Sequence, residues 1–413
     1  MKKRNLKIWL IKVGEQLPIE NNRKMRTALL AEELLDRGAS VLWWTSTFDH
    51  FKKKWLFPND KEITLDNGLK IMALKGCGYR RNFSLFRFID HRILARKFKS
   101  ICRKMEKPDI IISANPPYDL ANEAIDFAKE RDIPIIIDIR DQWPEIFLEY
   151  MPRFLRSVAR VALGTEFRMN KYVLKEADCL TSMTETILKW GLECAGREKT
   201  DFDKVFYLGG ERMEESPRST KIESLEKYLK GKFVVVFVGT FGMIYNPSIL
   251  VDVARRFTNE AIVFVLGGDG IYFQEVKKKA EMLTNVMLTG WLQQSDIAAL
   301  LKLAHVGAIP NRERFAAFPN KVFVYISGGL PIISSCQGEL KKMIEDYKIG
   351  LNYGPGDADA LEECIRYFLK NPEIYSEYRE RTRNLFETKF DSEIIYNSFA
   401  DHIEHVVERR KYG

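Results

Sequence analysis

Residues 317–335 read AFPNKVFVYISGGLPIISS. Pro319 and Asn320 start a helix, Lys321 falls in its first turn, Gly328 and Gly329 end it, and PIISS follows as a buried strand. A helix delivered directly into a β-branched run is the alternation of a parallel sheet covered by helices. Lys321 adds a chemical signal. The first turn of a helix carries positive partial charge, so a lysine there is unfavourable unless an anion lies nearby. Lys321 is therefore a candidate diphosphate ligand, the alternative being a solvated lysine.

The same alternation extends outward on both sides. Upstream come strand VVVFVGT, helix PSILVDVARRF, strand AIVFVLG, helix FQEVKKKAEML, strand NVMLTG, helix DIAALLKLA and strand VGAIP; downstream come helix ELKKMIEDY and further helices. Two of these strands end in glycine. Gly239, with Thr240 and then Gly242 ahead of a helix, closes one, and Gly267, Gly268 and Gly270 close the next. Glycines at such positions let backbone N–H groups approach phosphate oxygens. The two loops are expected side by side on one sheet edge. In the loop PNRERF, Arg312 and Arg314 could add a bidentate phosphate contact.

A first cycle occupies the N-terminal half: strand LKIWLIKV, helix MRTALLAEELLDRG, strand SVLWWTST, and a hairpin KEITLDNGLKIMALKG turned at Asp66, Asn67 and Gly68. Helix SLFRFIDHRILARKFKSICRKME, strand DIIISA, a helix over residues 118–131, strand IPIIIDI, the loop RDQWPE and one long basic helix over residues 154–177 follow. Near residue 200 a polar stretch with a glycine pair reads as a linker. The fold class expected is α/β, two doubly wound Rossmann-like domains facing across a cleft. The boundaries are 1–200, 201–385 and a terminal helix, 386–413, packing back on the first domain.

Composition narrows the function. The chain has 413 residues, 46% hydrophobic and 30% charged, with a formal charge of +8 that suits an anionic partner. No stretch approaches the roughly twenty apolar residues of a membrane span, and Lys12 breaks the N-terminal apolar run. Six cysteines lie far apart without metal-ligand spacing, so free cytoplasmic thiols and no metal site are expected. No G-x-G-x-x-G follows the first strand, which argues against a dinucleotide oxidoreductase, and no nucleic-acid reading module accompanies the basic residues.

In the N-terminal half Gly14 ends the first strand, and the loop after it could close over a donor. His50, Arg140 and Asp141 each follow a strand and could face the cleft. With Glu145, Arg140 and Asp141 form a candidate catalytic group, and His50 is a further candidate. A helix cap for Asp141 and an ordinary loop histidine are the alternatives. Two basic helical runs, Arg87 to Lys104 and Arg153 to Lys171, interleave with aromatic and aliphatic residues and suit an anionic membrane surface.

The ordered set VFVGTFG, VLGGDG, NVMLTGW, DIAALLKLAHVGAIP, FPNKVFVYISGGLPIIS and DADALEECIRYFLKNPE resembles the donor domain of retaining family-four glycosyltransferases of the GT-B fold. In the first half, RTALLAEELLDRGASVLWWTSTFDHF and IIIDIRDQWPE look like the branch that builds bacterial O-antigen and capsule sugars. The resemblance implies a nucleotide diphosphate sugar as co-substrate, most often a UDP-sugar, and no further cofactor or metal. Lys321 would bind the diphosphate beside Gly239, and Gly290, Trp291 and Leu292 would hold the base. The acceptor would be a polyprenyl-diphosphate-linked saccharide at the cytoplasmic face of the membrane. Departures are also visible. Val324 and Ala316 stand where relatives carry acidic residues, and no basic residue lies between Thr240 and Asn246. They leave open a nucleotide-sugar epimerase of the same shape, or a scaffold subunit without donor chemistry.

Overall fold

A computed structural model describes residues 5–19, 24–82, 84–149, 151–213, 219–312 and 318–412. The chain divides into two compact units, Met1–Tyr207 with Tyr396–Gly413, and Leu208–Ile395.

The first unit is built on β1 (Lys7–Ile11), β2 (Ser40–Ser46), a short ribbon of β3 (Phe48–Asp49) and β4 (Lys54–Trp55), then β5 (Lys61–Thr64), β6 (Lys70–Leu74), β7 (Ile110–Asn115), β8 (Ile135–Ile139), β9 (Cys179–Ser182) and β10 (Lys204–Val205). Its main sheet runs β10-β9-β8-β7-β1-β2-β6-β5, parallel except for the β5–β6 hairpin. β7 and β8 are buried along their whole length because helices cover both faces, which is why each opens on three consecutive isoleucines and admits only the buried polar residues Ser113, Asn115 and Asp138. Trp9 anchors the core, stacked on Phe127 at 5.5 Å and edge-on to Trp44 at 5.3 Å. From Tyr396 the last helix belongs to this unit. Phe399 stacks on Phe206 at 4.3 Å and Asp401 pairs with Arg37 at 2.6 Å.

The second unit carries β11 (Phe233–Val238), β12 (Ile262–Gly267), β13 (Val286–Gly290), β14 (Val306–Ile309), β15 (Ile332–Ser334) and β16 (Gly350–Asn352) in the all-parallel order β13-β12-β11-β14-β15-β16. Strand order reverses between β11 and β14, as it does between β1 and β7 in the first unit. Chains leaving the two strands at such a point diverge and open a crevice at their C-terminal ends.

Several expectations are corrected. The basic helix expected over residues 154–177 is a 3-10 turn, Arg153–Leu155, followed by helices Arg156–Ala162 and Gly164–Glu176. The break has a cause: residues 156–162 bury nothing, whereas Glu166, Asn170, Val173 and Leu174 are buried, and Gly164 favours an end over continuation. The polar stretch near residue 200 gives way to a helix at Thr220–Leu229. Strand β9, helix Glu185–Ala195 and strand β16 add to the elements expected from the sequence.

Candidate functional site

The C-terminal ends of β11, β12 and β14 lie close together. Gly239 (φ 153°) and Gly268 (φ 132°) have backbones closed to most side chains, and a Cβ on Gly268 would fall 1.9 Å from the carbonyl oxygen of Gly239. The glycine loops are thus side by side, tied by Gly239 N–H donating to Gly267 O at 2.9 Å and Phe241 N–H to Asp269 O at 3.0 Å. Those bonds also change the expected chemistry. The N–H groups of Gly239 and Gly268 are already spent on carbonyls, of Gly267 and Gly290 respectively. Among the described residues the amides of Thr240 and Gly242 donate to no backbone carbonyl. Gly242 does not precede a helix directly, because helix Ser248–Ala254 begins six residues later.

Lys321 opens the seven-residue helix Lys321–Ser327, with Asn320 exposed at the N-cap and making no side-chain cap bond. Its stem is half-buried, but its Nζ is shut off from solvent and has no hydrogen-bond partner. The amine sits 3.4 Å from the ring centre of Tyr245 and 4.0 Å from that of Phe237, close enough to Gly239 that a Cβ there would lie 2.6 Å away. Burial pulls its pKa down to about 7, opposed only by the neighbouring Cys336. Two π faces offer a desolvated cation about 2 kcal/mol or more each, yet removing an ammonium from water costs several kcal/mol, and burial still pulls this amine towards its neutral form. The amine is therefore under-compensated, and an anion at the Gly239 loop would restore the balance.

Tyr325 fixes this geometry, a role the sequence does not announce. Its hydroxyl accepts from Val238 N–H at 3.0 Å and donates to Ala308 O at 3.3 Å, pinning the lysine's helix to both β11 and β14. Gly307 admits the ring, since a Cβ there would lie 2.4 Å from it. Arg312 donates its backbone N–H to Ile244 O at 2.9 Å and lays its guanidinium 5.0 Å from the Tyr272 ring centre. Arg314 and Ala316 lie outside the described residues. Val324 is half-buried one turn after Lys321 and brings no acid. Gly290 (φ 64°) takes the N–H of Gly268 on its carbonyl at 2.8 Å; Leu292 packs beneath Gly267, and Trp291 is 71% exposed.

In the first unit the expected group Arg140, Asp141 and Glu145 comes apart. Arg140 turns inward, its Nε 2.5 Å from Asp138, its Nη1 3.8 Å from Glu15 and its Nη2 donating to Thr27 Oγ1 at 3.3 Å. Asp141 is exposed, and Glu145 faces the Cys194 thiol at 3.8 Å. Alternate residues leaving a strand point to opposite sides, which separates what one-dimensional spacing had joined. Beneath them Arg26 is fully buried and grips Asp138 with two bonds of 3.0 and 3.1 Å. Burial alone would raise the Asp138 pKa, but Arg140 and Arg26 hold it far below the usual carboxylate range. His50 bonds through Nδ1 to the Tyr79 hydroxyl at 2.6 Å, with Gly14 (φ 75°) against its ring. Burial, then the charges of Arg87, Lys53 and Lys12, lower its pKa to about 4, so it is neutral at pH 7. Lys12, Tyr79 and Arg87 around it were not singled out for a site in this crevice. Among the described residues no cluster of three or more His, Cys, Asp or Glu could hold a metal ion.

Comparison with known proteins bears on both units. The family described as Glycosyl transferases group 1 matches residues 219–385. The chain is 28% identical over 169 residues to O-antigen chain mannosyltransferase C of Escherichia coli, covering 40% of this chain and 45% of that relative, so the match spans less than half of the relative's length. Among solved structures, sucrose-phosphate synthase from Thermosynechococcus elongatus superposes with a TM-score of 0.71 at 15% identity, covering 98% of this chain and 100% of the other. Anabaena HepE in complex with UDP does so with a TM-score of 0.67 at 15% identity over 97% and 100%. At those identities the likeness concerns the fold. The group 1 signature thus lies on the unit that holds Lys321, and the fold throughout is a GT-B-like pair of parallel α/β sheets.

Proposed function

We propose that the protein moves a hexose, with retention, from a nucleoside diphosphate sugar, a UDP-sugar first of all, to a lipid-linked saccharide in surface polysaccharide synthesis. The observation that carries this reading is the Lys321 amine, buried, unpartnered and set against Gly239. A leaving diphosphate gains negative charge as the sugar becomes oxocarbenium-like, and a preorganised cation out of water is most effective against charge that develops there. With no carboxylate singled out as a covalent nucleophile, attack on the face of the leaving group, with a diphosphate oxygen receiving the acceptor proton, fits best. Gly290, Trp291 and Leu292 would bracket the base, and Thr240, Gly242, Arg312 and Asn320 would complete the phosphate cradle. HepE was crystallised with UDP, which favours that base; the mannosyltransferase relative makes a mannosyl nucleotide the second candidate.

A membrane-held acceptor is favoured by exposed Phe154, Leu155, Val158 and Val161 next to exposed Arg153 and Arg160. The other basic run contributes less, since Arg92, Lys97, Lys99 and Arg103 are committed to Glu166, Asp60, Glu123 and Glu130. Calorimetry against a nucleotide-sugar panel tests the donor: micromolar to millimolar binding of UDP or a UDP-sugar is expected, and no binding at millimolar nucleotide would favour a scaffold. Sedimentation with phosphatidylglycerol vesicles tests the surface, which predicts that Phe154→Ser with Val158→Ser releases the protein.

A further inference from the structure

Where β1 and β3 end in the first unit, positive charge collects without a matching anion. Lys12, Lys53 and Arg87 are half-buried there, and among the described residues none of them is in an ion pair. The Arg87 guanidinium lies 4.4 Å from the Trp143 ring centre and 5.5 Å from that of Tyr79, and its Nε is buried with no hydrogen-bond partner. Lys53 reaches the same Tyr79 ring at 4.8 Å, and the Tyr79 hydroxyl holds His50.

The nearby carboxylates are mostly engaged. Glu15 accepts from Thr27 N–H and Oγ1 at 2.7 and 2.8 Å, Asp49 from Phe51 and Lys52 N–H, and Asp90 from Gly78 N–H. Asp138 is saturated by Arg26 and Arg140. Asp141, exposed, remains as the one carboxylate near both Lys12 and Arg87 that carries no such bond among the described residues. The cations are thus in surplus. Their titration agrees: burial and then Arg140 lower Lys12 to about 8, and burial lowers Arg87.

We propose that Lys12, Arg87 and Lys53 form a second anion site, in the first unit, for a phosphate or diphosphate borne by the acceptor. It rests on the transferase reading and narrows it to phosphorylated acceptors. Arg87 supplies the planar fork that suits phosphate oxygens, held in place by Trp143, while the two lysines act as point charges. Neutral His50 adds no charge and positions Tyr79.

The probe is inorganic pyrophosphate, titrated by calorimetry into the full chain with and without saturating UDP. Binding is expected in both cases. In the UDP-saturated protein, where the Lys321 cradle is filled, Lys12→Met with Arg87→Gln should weaken it by about tenfold or more while leaving UDP affinity unchanged, and Lys321→Met should weaken UDP binding instead. Arg87→Lys keeps the charge and serves if loss of the Trp143 contact unfolds the double variant; it should retain most of the binding. Pyrophosphate that fails to bind the UDP-saturated protein, or binds the UDP-saturated double variant equally well, overturns the site. Failure of UDP alone overturns the transferase reading and leaves the pyrophosphate result standing. Competition by phosphatidylcholine vesicles carrying a polyprenyl diphosphate places the group on a lipid, and competition by glucose 1-phosphate places it on a soluble sugar. Competition by neither overturns the assignment to an acceptor.

Discussion

Two cations removed from water, one in each unit, have opposite surroundings. Arg26 in the first unit meets Asp138 with two bonds, adds the carbonyls of Phe206 and Tyr207, and lies over Phe399 at 5.2 Å. Lys321 in the second unit has two aromatic faces and nothing to accept its protons. A cation that serves structure arrives with its anion built into the fold. One left without an anion loses stability and gains a use, because its desolvation is compensated only when a ligand brings the negative charge.

The largest expected effect breaks the satisfied side of this contrast. Asp138→Asn leaves Arg26 and Arg140 facing a neutral amide in a sealed interior, and it should destabilise the fold by about 3–5 kcal/mol, read as a drop in the denaturant midpoint. A change within experimental error would mean that the pair is no better compensated than Lys321.

Next in size is Lys321→Met, whose consequences should point in two directions. Turnover should fall by about 10²–10³-fold, the usual cost of losing one preorganised donor at developing charge. Stability should rise at the same time. The folded pKa of Lys321 is about 7 against an ordinary 10.5, so the unfolded chain binds its proton more tightly. That difference destabilises the native state in full below pH 7 and fades as pH climbs towards 10.5. The thermal midpoint of the variant should therefore exceed that of the parent most at pH 6 and least near pH 10. Donor binding carries the mirror image. Above pH 7 the amine must capture a proton to meet the diphosphate, so UDP affinity should be flat below pH 7 and fall by up to about tenfold per unit above it, with proton uptake visible in buffers of differing ionisation enthalpy.

How much of this could be read from residues alone follows the same division. Alternating apolar runs and glycine stops expose both sheets, because burying β1, β7, β8, β11 and β12 on two faces leaves little choice of residue. Lys321 stands out because a lysine at a helix start is locally unfavourable. Arg87 was legible only as one member of a basic helix, since its contacts with Tyr79 and Trp143 come from residues 8 before and 56 after it in the chain. Arg140 and Glu145 misled because neighbours in sequence leave a strand in different directions. Charge density can be counted in a sequence, but charge compensation depends on three-dimensional partners.

The smallest expected effect sharpens the comparison within the second unit. Gly239 and Gly242 look equivalent in VFVGTFG, yet they answer to different constraints. At Gly239 the backbone (φ 153°) is strained for any side chain, and a Cβ would lie 2.6 Å from the Lys321 amine, in the space an incoming phosphate needs. At Gly242 the backbone is not in that region, and a Cβ would meet only the Thr240 methyl, at an ordinary 3.5 Å. Gly242→Ala should therefore change stability by no more than about 0.5 kcal/mol and leave UDP affinity near that of the parent. Gly239→Ala should cost about 1–3 kcal/mol in backbone strain and weaken UDP binding besides. Gly242→Ala keeps the amide that would face the phosphate, so if calorimetry instead finds UDP lost in this variant, the diphosphate packs against the Gly242 Cα itself and Lys321 reaches it from the side.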